Sequence, residues 1–551
     1  MGHPHPRKAL RTSAVGAVSA AVLAGTTFGL APAAGAAPAQ TPAQAPALTN
    51  SASAADVAGV RFVDIRGEDG TVLKANVVTP SDADDPGAAN RRYPVVVLPT
   101  SWAVPQVEYL AQAKKLADSG YIVLSYNVRG FWQSGGNIEV AGPKDVADAR
   151  KVIDWALDNT PADPERVGMA GMSYGAGISL LTAAFDKRVR AVVSMSGWAD
   201  LVGSIYSGRT QHLQASAFLA GTGYITGRPS PEFQHMLGQF LDKDIDDEQE
   251  LIEWGRKRSP ATYVDRINAN GAAIMLGNAW GDSIFPPNQY ADFYEKLTGP
   301  KRLELRPGDH ATPEIAGLLG LPNDTWSNAR RWLDHYLKDT DNGVEKEKPV
   351  QLKSRSAGDY EGYESWASVP AQTRRIPLDG SKRIHANVDS GADGGIVILS
   401  SALDQLFKLP PVASVPLLPR AFAAVWQTER YDTRQRVRGT VKLHTTVTST
   451  EKSGTAIAYL YDVGPLGVGK LISHAPYTFH GKTPGEPFGV DMELYSTAYD
   501  VPAGHKLAVV VDTVDPLYAE HNPSRAKLTF SSPADDPSYV EVPLAASAGA
   551  R

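Results

Sequence analysis

From about residue 60 to about residue 338, short β-branched runs alternate with stretches of helical periodicity, and that alternation restricts the chain to a parallel sheet with helices on both faces. The runs fall at 95–98, 122–124, 167–169, 191–193, 273–276 and 303–305. Most are continuously apolar, as strands covered on both sides must be. Between the second and third runs, Val146, Ala149, Val152, Ile153, Ala156 and Leu157 recur at helical spacing, with Asp145 and Asp148 near the end where the helix dipole favours negative charge. A second amphipathic stripe, Trp326, Ala329, Trp332, Leu333, Tyr336 and Leu337, follows the helix-start residues Asn323, Asp324 and Thr325.

Residues 200–268 break the pattern. They hold His212, Phe218, Phe233, Phe240 and Trp254, look helical from about 230 to 258, and are too long for a plain crossover. They read as a helical cap above the sheet edge, inside an α/β domain spanning residues 59–345. Beyond it, turn-punctuated alternation such as Val437-Arg438-Gly439-Thr440-Val441 takes over, and residues 346–546 are expected to form an all-β sandwich or jelly roll.

The N-terminus reads as an address. Residues 1–36 carry Arg7, Lys8 and Arg11, then an apolar run rich in Ala, Val, Leu and Gly, then Ala34-Gly35-Ala36, the order of a secretory signal peptide. The run is only weakly apolar for a membrane anchor, and no later stretch could span a bilayer, so the mature chain is expected to be secreted without stable membrane insertion. Losing the three cations takes the net charge from −6 to −9. Residues 37–58 read as a flexible Ala/Pro-rich linker. The negative charge and the absence of basic runs exclude an electrostatic footprint for nucleic acid. With no cysteine there is no thiolate nucleophile and no Cys-based metal site, so a nucleophile must be an oxygen or an amine.

Gly171-Met172-Ser173-Tyr174-Gly175 sits between a strand and a helix. Flanking glycines let backbones crowd together there, and the strained turn lifts the Ser173 hydroxyl out of the sheet's carboxyl edge. A serine hydroxyl needs a base, and the partners expected in this architecture follow in the order acid, histidine. Asp282 falls in the loop after the 273–276 run and His310 in the loop after 303–305, the edge on which Ser173 opens. Asp309 is a rival acid, but an immediate neighbour rarely reaches around to its partner's ring. For the oxyanion, the amide of Tyr174 supplies one donor. The second comes from the loop Pro99-Thr100-Ser101-Trp102, where the Trp102 indole N–H either donates or merely packs. Trp132, Trp280 and Phe285 are candidates for the substrate pocket. Acidic and histidine residues such as Asp309, His310 and Glu314 lack the repeated spacing of a zinc motif, and the stretch Arg129 to Gly136 lacks the ending of a phosphate loop, so no metal or cofactor is expected.

With these residues placed, the chain resembles the family of bacterial cocaine esterase, nonactate hydrolase and the X-Pro dipeptidyl-peptidases over residues 60–544. The likeness rests on the early strand 94–98, Asn127-Val128-Arg129-Gly130 with Ser134 and Gly136, the Ser173 motif, Arg258-Ser259-Pro260 with Tyr263-Val264-Asp265-Arg266-Ile267, and Val501-Pro502-Ala503-Gly504-His505-Lys506-Leu507. The resemblance implies an α/β-hydrolase core, a helical cap before the acid-bearing strand, a C-terminal jelly roll beside the site, and Ser173, Asp282 and His310 as a triad. It also implies a departure, because cocaine-esterase-like members use a tyrosine hydroxyl as second oxyanion donor where this chain has Trp102. The expectation is a secreted serine hydrolase acting on small ester or amide substrates. An X-Pro dipeptidyl-peptidase-like aminopeptidase and a non-catalytic glycan-binding protein with a relic core are the alternatives.

Overall fold

The computed structural model describes residues 59–83, 90–242, 248–356 and 358–545. The signal peptide and linker expected over residues 1–58 lie outside them. Ten strands form the first sheet: β1 (Val60–Arg66), β2 (Val72–Val78), β3 (Tyr93–Pro99), β4 (Ile122–Tyr126), β5 (Ala162–Met172), β6 (Val189–Met195), β7 (Ala273–Ala279), β8 (Lys301–Arg306), β9 (Val350–Lys353) and β10 (Tyr360–Tyr363). Their order is β1-β2-β4-β3-β5-β6-β7-β8-β9-β10. From β4 to β9 every pairing is parallel, and antiparallel pairs close both edges.

Strand β3 shows why the central runs read as continuously apolar. Val95 and Val97 point into a cluster with Val152 and Ile153 of the helix Pro143–Asn159 and Ile178 of the helix Tyr174–Phe185. Val96 and Leu98 point the other way, onto Leu116 of the helix Leu110–Asp118 and Trp326 and Trp332 of the helix Asp324–Lys338. Alternate residues face opposite layers, and both layers are helical. The order reverses between β4 and β5 on either side of β3, so a crevice opens at the carboxyl edge of the sheet.

Between β6 and β7 the chain leaves the sheet as a cap, with helices Leu201–Ile205, Leu213–Thr226, Pro231–Leu241 and Glu248–Arg256. Ser230 caps the third by accepting from Phe233 N at 3.1 Å, with Pro231 in the first turn. The helix Leu213–Thr226 lies outside the stretch that periodicity marks as helical. Its apolar residues are spread around the whole circumference, leaving no stripe to read.

The C-terminal region is a sandwich of an eight-stranded and a five-stranded sheet, both antiparallel. In the strand Gly454–Val463, Ala456, Ala458 and Leu460 face the sandwich interior, while Ile457, Tyr459 and Tyr461 join the cluster of the first domain. The five-stranded sheet is thus buried on both faces, and the domains share one continuous core.

One boundary and one element differ from the sequence reading. Strands β9 and β10 fall after residue 345 yet extend the first sheet, because Val350 and Leu352 alternate inward against Leu303 and Leu305. The second region is not purely β, since it holds the helix Leu399–Phe407 beside the first domain. There, Arg355 is paired with Asp404 at 2.7 Å and the Thr312 hydroxyl donates to Gln405 Oε1 at 2.7 Å.

Candidate active site

Ser173 follows β5 and precedes the helix Tyr174–Phe185 with a φ of 51°, a left-handed conformation that a non-glycine residue holds only when its surroundings force it. The surroundings are tight backbones. A Cβ on Gly175 would lie 2.0 Å from the Pro99 carbonyl oxygen, and one on Gly171 would lie 2.5 Å from the Gly175 carbonyl carbon. Ser173 N donates to Met195 O at 2.9 Å, which fixes the turn against β6.

The loops after β7 and β8 meet the serine. His310 Nε2 lies 2.9 Å from Ser173 Oγ, and His310 Nδ1 lies 3.1 Å from both carboxylate oxygens of Asp282. Asp282 Oδ1 also accepts from the amides of Ile284 at 3.0 Å and Phe285 at 2.8 Å, so the carboxylate is held in one orientation. With Asp282 ionised, Nδ1 carries the proton and Nε2 presents its lone pair to the serine hydroxyl. Burial disfavours the charged imidazole, but the Asp282 carboxylate, with Asp309 and Glu314 adding to it, outweighs burial and holds His310 above its ordinary pKa. The Phe285 ring packs edge-on against the imidazole with centroids 5.3 Å apart.

Asp309 does different work. Its Oδ1 accepts from Ser283 N at 2.9 Å, Ser283 Oγ at 2.7 Å and its neighbour His310 N at 2.7 Å. It fastens the two loops together and makes no contact with the ring nitrogens, and burial pushes its carboxyl up to about 6.

The Tyr174 amide opens its helix and has no intrahelical acceptor, so it is free to donate beside the serine. The Trp102 indole departs from the sequence reading. Its Nε1–H donates to Leu219 O of the cap at 2.9 Å, which commits the group away from an oxyanion. The ring stands edge-on to Phe131, Tyr174 and Phe233, wedged between core and cap. The pocket candidates separate as well. Phe285 lines an apolar cavity of about 120 Å³ that opens on Ser173 beneath the cap. Trp132 is half-exposed with its indole on Ala103 O, and Trp280 donates to Lys353 O and lines a second, more polar cavity behind Asp282.

Three contributors escape the sequence reading. Glu108 holds the loop after β3 by accepting from Ser101 N at 2.8 Å and Ser101 Oγ at 2.6 Å. Glu314 accepts from the Ser196 hydroxyl at 3.2 Å, and burial pushes it up to about 7. The segment before the helix Leu399–Phe407 reaches the acid loop, where Ile398 N donates to Ser283 Oγ at 2.8 Å. Nothing marks these roles in advance, because Glu314 and Ile398 act through contacts distant in sequence and Glu108 through a loop that only the fold turns back onto it. Among the described residues no group of three or more His, Asp or Glu is arranged to hold a metal, and no helix is long and apolar enough to cross a membrane.

Residues 69–312 match the family model of the X-Pro dipeptidyl-peptidase (S15 family), and residues 342–541 match that of the X-Pro dipeptidyl-peptidase C-terminal non-catalytic domain. A Mycobacterium bovis protein named for serine esterase activity is 23% identical over 312 residues, a match that spans 47% of either chain, so about half that relative's length is covered. A Bacillus cereus protein named for Xaa-Pro dipeptidyl-peptidase activity is 21% identical over 450 residues, 74% of either chain. Among solved structures, an aminopeptidase from a marine sediment Thaumarchaeota archaeon superimposes with a TM-score of 0.68 at 15% identity, covering 89% of this chain and 97% of its own, which is a likeness of fold. Two models of one family, matched in order along most of the chain and joined to this sheet and this sandwich, establish that the chain belongs to the X-Pro dipeptidyl-peptidase (S15) family.

Proposed function

We propose that this protein is a serine hydrolase that cleaves ester or amide bonds through an acyl-enzyme on Ser173. The observation that carries the reading is the unbroken line of contacts from Ser173 Oγ through both His310 nitrogens to Asp282, opening on a cavity. As Ser173 Oγ bonds the substrate's carbonyl carbon, its proton passes to His310 Nε2, and the imidazolium is stabilised by Asp282. The tetrahedral oxyanion receives the Tyr174 amide and the backbone amide of Trp102, each worth about 3 kcal/mol of barrier. Collapse expels the leaving oxygen or nitrogen, which takes the proton from His310. Water then gives a proton to His310 as it attacks the acyl carbon, and Ser173 regains its proton as the acid departs.

Fluorophosphonate labelling tests this. The wild-type chain is expected to take the probe at Ser173 and to turn over p-nitrophenyl butyrate, and Ser173→Ala to lose both with little change in Tm, since among the described residues its hydroxyl bonds only His310. An unlabelled wild type would leave a relic core with a binding role. The family name and the Bacillus cereus relative favour a second reading, release of X-Pro dipeptides, for which Ala-Pro-p-nitroanilide is the probe. We also propose export with removal of residues 1–36, on the charge and hydropathy order of that segment; intact residues 1–36 on protein recovered from the culture medium would count against it.

A further inference from the structure

The cavity beneath the cap is selective in its chemistry. Leu219, Phe233, Met236 and Phe240 of the cap, with Trp198 and Phe285 of the core, make its walls, and Ser173 stands at its edge. Among the described residues no acidic or basic side chain lines it. The Tyr206 hydroxyl at its margin donates to Glu248 Oε2 at 2.8 Å, and Arg209 pairs with the other oxygen at 2.7 Å, so that carboxylate is already neutralised. Two polar atoms in the lining, Ser216 Oγ and Trp254 Nε1, are buried with no partner among the described residues. An indole N–H can donate to an uncharged oxygen but cannot accept from a cation.

From this we infer that the cavity is an acyl pocket for an uncharged, hydrophobic acyl group of roughly four to six carbons, and that substrates whose acyl part carries a free ammonium are excluded. The inference rests on the reading of Ser173 as nucleophile. A cavity of about 120 Å³ holds about five non-hydrogen atoms, since one of about 150 Å³ takes a benzene ring. Each methylene moved from water onto such walls is worth up to about fourfold in kcat/KM. An ammonium in the same place loses its hydration with no carboxylate among the described lining residues to replace it. Within a family named for X-Pro dipeptides, whose acyl part bears an N-terminal ammonium, this cavity points instead to esters of short, uncharged acyl chains, the Ser216 and Trp254 groups serving an oxygen along the chain.

The test is a p-nitrophenyl ester series on the mature chain, acetate through decanoate, with 6-aminohexanoate matched to hexanoate and Ala-Pro-p-nitroanilide alongside. Rising kcat/KM, two- to fourfold per methylene up to butanoate or hexanoate and no further rise beyond, with hexanoate at least a hundredfold above 6-aminohexanoate, is the expected result. Ala220→Trp, which places a ring in the cavity, should lower the hexanoate to acetate ratio at least tenfold. A flat chain-length profile with active enzyme, or a preference for the aminoacyl ester or the anilide, overturns the acyl pocket and leaves the serine hydrolase standing. No turnover and no labelling of Ser173 overturns both.

Discussion

Replacing Asp282 with Asn changes one atom and should remove nearly all turnover. Asp282 Oδ1 is held by the Ile284 and Phe285 amides at 3.0 and 2.8 Å, so the asparagine carbonyl must take that place. Its NH2 then falls where Oδ2 stood, 3.1 Å from His310 Nδ1. Oδ1, also 3.1 Å from Nδ1, already accepts both amides, so Nδ1 takes the NH2 as its donor and the ring proton moves to Nε2, which now donates toward Ser173 and can no longer accept its proton. The wrong tautomer in a triad lowers kcat on the order of 10⁴-fold, about 5 kcal/mol of barrier. Both amide bonds survive, so the Tm should change little. The acid limb of the residual rate carries a second signature: activity falls as pH drops through the His310 pKa, and without the carboxylate that raises it the midpoint moves to lower pH. Asp309→Asn is the control. Its carbonyl keeps the three donors that Oδ1 receives, and its rate should stay within tenfold of wild type. The reverse pattern, Asp282→Asn active and Asp309→Asn inactive on p-nitrophenyl butyrate, would refute the assignment of the acid.

Trp102→Phe keeps the wedge and removes the bond to Leu219 O, so stability should fall by about 1 kcal/mol and turnover change less than tenfold; a hundredfold loss of kcat would return the indole to the oxyanion. Arg438 is fully buried between Glu361 of β10 and Asp500 of the sandwich, at 2.9 and 2.8 Å, and against the cost of burial it helps hold Glu361 down to about 2. Arg438→Met should cost about 3 kcal/mol in chemical denaturation, the low end for a broken buried pair because Arg436 remains on Glu361 at 2.7 Å; an unchanged midpoint would show that the domains dock without it. Glu314, raised to about 7 by burial, binds its proton more tightly folded than unfolded, so its contribution to stability declines as pH rises from about 4.5 to 7. Glu314→Gln should flatten the decline of Tm across that window, and parallel curves for the two proteins would show that another group titrates.

Much of the site was legible because its rules are local. The strained turn at Ser173 needs small residues two positions either side, and Gly171 and Gly175 stand there against backbones that leave no room for a Cβ. Asp282 and His310 follow strands whose apolar runs announce them, and in a parallel sheet the loops after such strands share one edge. The helix Leu213–Thr226 carried no such mark, since a helix apolar on every side has no period to detect. Strands β9 and β10 were hidden for another reason: four residues are too few for alternation to separate them from the sandwich strands that follow.

The sequence by itself determined the layered architecture, the strained turn at Ser173, and the edge at which its partners had to lie, because those follow from periodicity and steric limits over a few neighbouring residues. Tertiary structure decided the rest. It gave Asp309 its work of tying the two loops together, and turned the Trp102 N–H to the cap rather than the substrate. It also gathered cap side chains into an uncharged cavity beside Ser173. Hydrogen-bond partners and cavity walls are fixed by the packing of segments far apart in the chain, and packing leaves no period in the residues that carry it out.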